Sequence, residues 1–153
     1  MASPDRFSLT DGLTIAAVIL AIAALAIPHW LRGHIATNEA AAVNSLLAIN
    51  SAELKYAAAK PDVGFACALP DLADVPLQTA PLPDPALAGG AKNGYLFSIT
   101  QCIGEPATSY LAVARPAAPN QTGVRVFCSD QTGVVRFTPD IRVACTNASR
   151  PVK

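Results

Sequence analysis

From Leu13 to Ile27 every residue is apolar except Thr14, and the run extends through Trp30 and Leu31. Counted from Gly12 this is about 20 residues, or roughly 30 Å of helix, the thickness of one hydrocarbon core. Residues 1–12 ahead of it are short and polar. Pro28 would bend the helix or mark a membrane boundary, and Trp30 suits an interfacial position. Between His34 and Lys60 there is no Gly or Pro, and alanine dominates. Val43, Leu47, Asn50, Leu54 and Ala58 recur three and four apart with Leu46 beside them, while Glu39, Glu53, Lys55 and Lys60 take other positions. That spacing predicts one apolar stripe on a strong helix former. The two patterns join without a stop signal, so a single rod from Ser8 to Ala59 would measure roughly 78 Å. Two plainer readings compete: a secretory signal with Ala24-Leu25-Ala26 as a small-residue cleavage site, or a simple membrane anchor.

Residues 61–94 change character, with Pro61, Pro70, Pro76, Pro81, Pro83 and Pro85 breaking regular structure and Gly89-Gly90 near the end. Short helical turns are predicted at Asp71–Val75 and Asp84–Leu87. Four strand-like runs follow: Tyr95–Cys102, Tyr110–Arg115, Val124–Ser129 and Val134–Phe137. The connections between them are short and carry Gly or Pro, which implies an antiparallel meander. One face of this sheet needs a cover, and the stripe on residues 43–58 is the large apolar partner available. The expected fold is α+β: a long N-terminal helix whose C-terminal half lies on a four-stranded antiparallel sheet. The expected segments are 1–6, 7–31 (apolar helix), 32–60 (amphipathic helix), 61–94 (Pro-rich loop), 95–138 (sheet) and 139–153 (tail).

Composition narrows the function. The 153 residues are 52% hydrophobic and only 14% charged, with 11 basic and 11 acidic side chains. Charged residues are about a quarter of an ordinary soluble domain, so contact with lipid is expected. Zero net charge without a Lys/Arg cluster gives the monomer no electrostatic footprint for nucleic acid. His29 and His34 both flank the apolar segment and are five apart, which does not place them on one helical face as metal ligands. No CxxC or haem-attachment pattern exists. Neither a nucleophile–base pair nor a metal cluster is visible, so no enzyme, cofactor or metal site is expected. Asp130 and Asp140 read as solvated turn carboxylates rather than a calcium site, and Asn120 and Asn147 as turn residues rather than glycosylation acceptors.

The order and spacing of these parts resemble type IV pilins and type II secretion pseudopilins. The matching residues are Phe7-Ser8-Leu9-Thr10-Asp11, the apolar run Leu13–Ile27 and Ile27-Pro28, with the family's distance from Phe7 to Pro28. Ile35–Tyr56 is similar to the helices of small bacterial pilins, and Gly94-Tyr95, Thr122-Gly123-Val124-Arg125 and Asp130-Gln131-Thr132-Gly133-Val134 to their C-terminal pattern. The resemblance implies leader processing between Arg6 and Phe7, although the family carries Gly where Arg6 stands. It implies an assembly role for Asp11, which replaces the family's Glu and would meet the freed amine of a neighbouring subunit. Two such charges about 4 Å apart attract by roughly 4 kcal/mol at an effective dielectric near 20. The plain alternative is an Asp11 that caps the helix. Leu13, Ile15, Val18, Ile19, Leu20, Ile22, Leu25, Ile27 and Pro28 would form the membrane and assembly helix.

The implied function is a structural subunit polymerising into a pilus-like helical filament, with a pseudopilin or a minor pilin as the nearest variants. A non-polymerising membrane-anchored periplasmic binding domain is the alternative from another class. The implied partners are further copies of the chain, membrane lipid, a prepilin peptidase and an inner-membrane assembly platform. The implied location is the bacterial inner membrane, single-pass with the C-terminal domain periplasmic, then an extracellular or periplasmic filament. Cys67, Cys102, Cys128 and Cys145 all follow the apolar segment and would pair in an oxidising compartment. Of three possible pairings, Cys67–Cys102 would pin the Pro-rich loop and Cys128–Cys145 the tail.

Overall fold

A computed structural model describes residues 9–73, 82 and 84–152. The chain divides into two compact units, Met1–His34 and Ile35–Lys153. Helix α1 spans Leu9–Ala59, and its residues through His34 belong to the first unit. In the second unit come a 3₁₀ turn at Leu69–Leu72, a one-turn helix α2 at Pro85–Ala88, and strands β1 (Ala91–Lys92), β2 (Tyr95–Ile103), β3 (Ser109–Pro116), β4 (Val126–Asp130), β5 (Arg136–Thr138) and β6 (Arg150–Pro151). Pro85 sits in the first turn of α2, and Asp84 caps it by accepting the Ala86 N–H at 2.8 Å.

The strands form one antiparallel sheet in sequence order, β1 to β6. The expectation of a four-stranded sheet is therefore corrected to six. Both added strands are two residues long, too short for any alternation to show in a sequence. β1 folds back on β2 through Asn93-Gly94, both at positive φ, as a two-residue hairpin requires. β6 closes the other edge with Pro151, a residue an edge strand tolerates.

A second correction concerns the membrane. Among the described residues no helix is long and apolar enough to cross a bilayer. The single-pass inner-membrane placement is overturned on this ground.

The core of the second unit lies between α1 and the sheet. Ala42, Leu46, Ile49, Ala52 and Tyr56 from α1 meet Tyr95, Phe97, Tyr110, Ala112, Ala114 and Phe127. The buried stripe is thus Glu39, Ala42, Leu46, Ile49, Asn50, Glu53 and Tyr56; it keeps Leu46 and Asn50 of the stripe expected, and its centre is turned by about one residue. Leu47 and Leu54, expected inside, are 48% and 60% exposed. In so alanine-rich a helix several faces are apolar enough to serve, and the sheet selects one. The sheet's other face is covered too: Leu111, Val113, Val126 and Cys128 pack with Cys145 and Ile141 of the tail. Two covered faces explain why β3 and β4 are buried almost without alternation.

Gly123 shows how tightly the loop before β4 is packed. A Cβ there would fall inside the Tyr95 phenol, whose hydroxyl donates to the Arg125 carbonyl at 3.0 Å. Gly123→Ala should cost about 1–3 kcal/mol through forced displacement of the ring. Gly89→Ala, whose Cβ would make only ordinary contacts, should stay near wild type. Urea midpoints of the two variants test this, and equal midpoints would contradict it.

Candidate functional site

In the first unit the candidate surface is α1 itself. Leu13 is 72% exposed and Leu20 70%, and Ile15, Val18, Ile19 and Ile22 are also exposed. At about 100° per residue these six side chains point to two opposite sides of the helix, and Ala17, Ala21 and Ala24 fill the widest sector between them. An amphipathic surface helix keeps its apolar residues to one side, whereas a helix apolar all round is normally buried. Ala16, Ala17, Ala21 and Ala23 lie between them and are small enough for another helix to approach closely. Arg6 and Phe7 lie outside the described residues. Asp11, Leu25, Ile27 and Pro28 fall within α1, but their side chains lie outside the description.

In the second unit α1 carries three polar anchors on its buried face. The first is Glu39. Its Oε1 accepts the backbone N–H groups of Val124 and Arg125 at 3.0 and 3.2 Å, and its Oε2 accepts Nε and Nη2 of Arg125 at 2.8 and 2.6 Å. Four donors fix the carboxylate and compensate its burial. The Arg125 guanidinium lies 5.3 Å from the ring centres of both Phe127 and Phe137. Asn38 adds a hydrogen bond from Nδ2 to the Thr122 carbonyl at 3.0 Å. Together they fasten the loop before β4 to the helix.

The second anchor is Asn50. The Tyr110 hydroxyl donates to its Oδ1 at 3.0 Å, and its Nδ2 donates to the Ser129 hydroxyl at 2.7 Å. Ser129 in turn donates to the Val134 carbonyl at 3.2 Å. This chain ties helix, β3 and β4 together, and burial pushes the Tyr110 phenol's pKa well up.

The third anchor is Glu53, which is completely buried. Its Oε2 accepts the Ala66 N–H at 2.8 Å, while Oε1 has no hydrogen-bond partner. Burial raises its pKa from 4.5 to about 7; the Ala66 hydrogen bond opposes that rise and the nearby Asp71 charge adds to it. Glu53 thus holds the start of the Pro-rich loop, in a buried setting that favours its neutral form.

The cysteines complete the frame as Cys67–Cys102 and Cys128–Cys145, with Cα separations of 5.5 and 5.8 Å. The first joins the Pro-rich loop to β2, and the second joins β4 to the tail that covers the outer face of the sheet. Among the described residues no group of three His, Cys, Asp or Glu side chains could hold a metal ion. Asp130 is occupied locally, accepting the N–H of Thr132 at 3.0 Å, and Asp140 accepts the Arg142 N–H at 2.9 Å.

The residues missed on sequence grounds are Glu39, Glu53, Arg125 and Tyr110. A signal for the first two exists: they share the three- and four-residue spacing of Ala42, Leu46, Ile49 and Tyr56. No family model, no curated protein and no solved structure matches this chain.

Proposed function

We propose that the chain is a structural subunit that assembles with further copies of itself into a helical filament of the pilus or pseudopilus type, through the apolar surface of α1. The observation that carries this reading is the set of exposed aliphatic side chains on two sides of the helix, at Leu13, Ile15, Val18, Ile19, Leu20 and Ile22. Covering each by a neighbouring helix would contribute about 1–2 kcal/mol, so a repeated contact gains several times the worth of a single core residue. The alanines between them suit close approach of helices. The second unit, braced by two disulfides and three buried polar anchors, supplies a rigid body on which no catalytic constellation needs to be built.

Two variants test the assignment. Leu13→Cys together with Val18→Cys, thiols on two sides of the helix, should give a ladder of disulfide-linked multimers on mild oxidation of producing cells. Adding Leu20→Glu should abolish the ladder while leaving the circular dichroism of the chain unchanged, because a carboxylate cannot be covered by an aliphatic neighbour without a large desolvation cost. A wild-type chain that stays monomeric in those cells, or a ladder indifferent to Leu20→Glu, would overturn the proposal.

A further inference from the structure

The second unit holds a cavity of about 490 Å³ lined by Arg125, Phe137, Arg150, Pro151 and Val152. Its volume falls in the range of small-molecule sites, roughly 300–1,000 Å³. Assembly through α1 makes no use of it. Among the described residues two guanidinium groups and no carboxylate line the cavity, and the other lining side chains are aromatic or aliphatic.

The two arginines differ in a way that suits recognition. Arg125 is preorganised: Glu39 takes its Nε and Nη2, and the ring centres of Phe127 and Phe137 both lie 5.3 Å from it. Among the described residues its Nη1 forms no ion pair, which leaves one edge of the fork facing the cavity's anion in the reading below. Arg150, opposite Phe137 in the β5–β6 pairing, makes no ion pair among the described residues. An unpaired cation beside an aromatic wall attracts an anion whose body can lie on that wall.

We propose that this cavity is a binding site for a small organic anion, a carboxylate carried on a flat apolar body, with Arg150 and the free edge of Arg125 holding the carboxylate and Phe137, Pro151 and Val152 covering the body. The site lies wholly in the second unit and does not depend on filament formation. Because Arg125 also holds the loop before β4, Arg150 is the residue to change.

Titration of the full chain with 2-naphthoate, followed by calorimetry and by the ring resonances of Phe137, tests the assignment. Saturable binding with a shift of those resonances is expected. Arg150→Gln should weaken it about tenfold or more, since a hydrogen bond to a charged group contributes about 1.5–3 kcal/mol, and Arg150→Lys should fall between the two. The neutral 2-naphthamide should bind at least about tenfold more weakly, and inorganic phosphate should not compete at equal concentration. Equal affinity for naphthoate and naphthamide would reduce the site to an apolar hollow. Equal affinity for phosphate would reduce it to a bare cation, and an unaltered affinity in Arg150→Gln would remove Arg150 from it. Each of these results overturns the proposal.

Discussion

Glu53→Gln makes the chain more stable than wild type at pH 8, by up to about 3 kcal/mol, and removes a pH dependence that wild type shows. Glu53 is completely buried, with a pKa raised from 4.5 to about 7 chiefly by that burial. Between those two values the folded chain holds a proton on Glu53 that the unfolded chain has released. Stability from this group is therefore fully present below about pH 4.5, falls as pH rises, and is lost above about pH 7. A shift of that size corresponds to about 3 kcal/mol at 1.36 kcal/mol per unit. Glutamine keeps an oxygen for the Ala66 N–H and carries no charge to desolvate. Chemical denaturation of both proteins from pH 4 to pH 8 checks the claim. Parallel stability curves would show that Glu53 ionises without cost and that the account of its burial is wrong.

Replacing Cys67 and Cys102 together by serine lowers stability by about 4 kcal/mol in the chain-entropy account, given their sequence separation of 35. Replacing Cys128 and Cys145, separated by 17, costs about 3 kcal/mol. The two losses should differ in kind as well as in size. Cys67 directly follows Ala66, whose N–H is the partner of Glu53. Freeing that segment lets water reach the Glu53 carboxyl, so the pH dependence described above should shrink in the Cys67/Cys102 variant. It should persist in the Cys128/Cys145 variant, which alters the opposite face of the sheet. A loss of pH dependence in both, or in neither, would break the proposed link between the loop and the buried acid.

How much of this was legible beforehand differs from element to element. The absence of Gly and Pro from His34 to Lys60 is a local property of the chain, and a helix over that range follows from propensity. The strand-like runs around residues 95–137 are marked by their own residues in the same way. The facing of the helix was not legible. Val43, Leu47 and Leu54 make as good a stripe as Ala42, Leu46 and Ile49, and periodicity has no means of ranking two apolar faces of one alanine-rich helix. The outer strands were not legible either, because two residues carry no period; Asn93-Gly94 was the available hairpin signal for one of them. The apolar run at Leu13–Ile27 stands out in the sequence, yet a run of apolar letters does not by itself establish a bilayer-spanning helix.

By itself the sequence determined what local chemistry determines: where a helix can persist, where proline interrupts it, where the chain alternates, and that four cysteines follow the apolar segment. Only the tertiary structure decided which face of α1 meets the sheet, that the tail covers the sheet's second face, and that Glu39 and Arg125, separated by more than eighty residues, close on one another. It also decided that Glu53 is enclosed. A buried carboxylate is written with the same letter as an exposed one, and its cost and its use arise from groups distant in the chain. Spacing along a sequence records the angle round a helix, whereas burial and pairing depend on what folds against it.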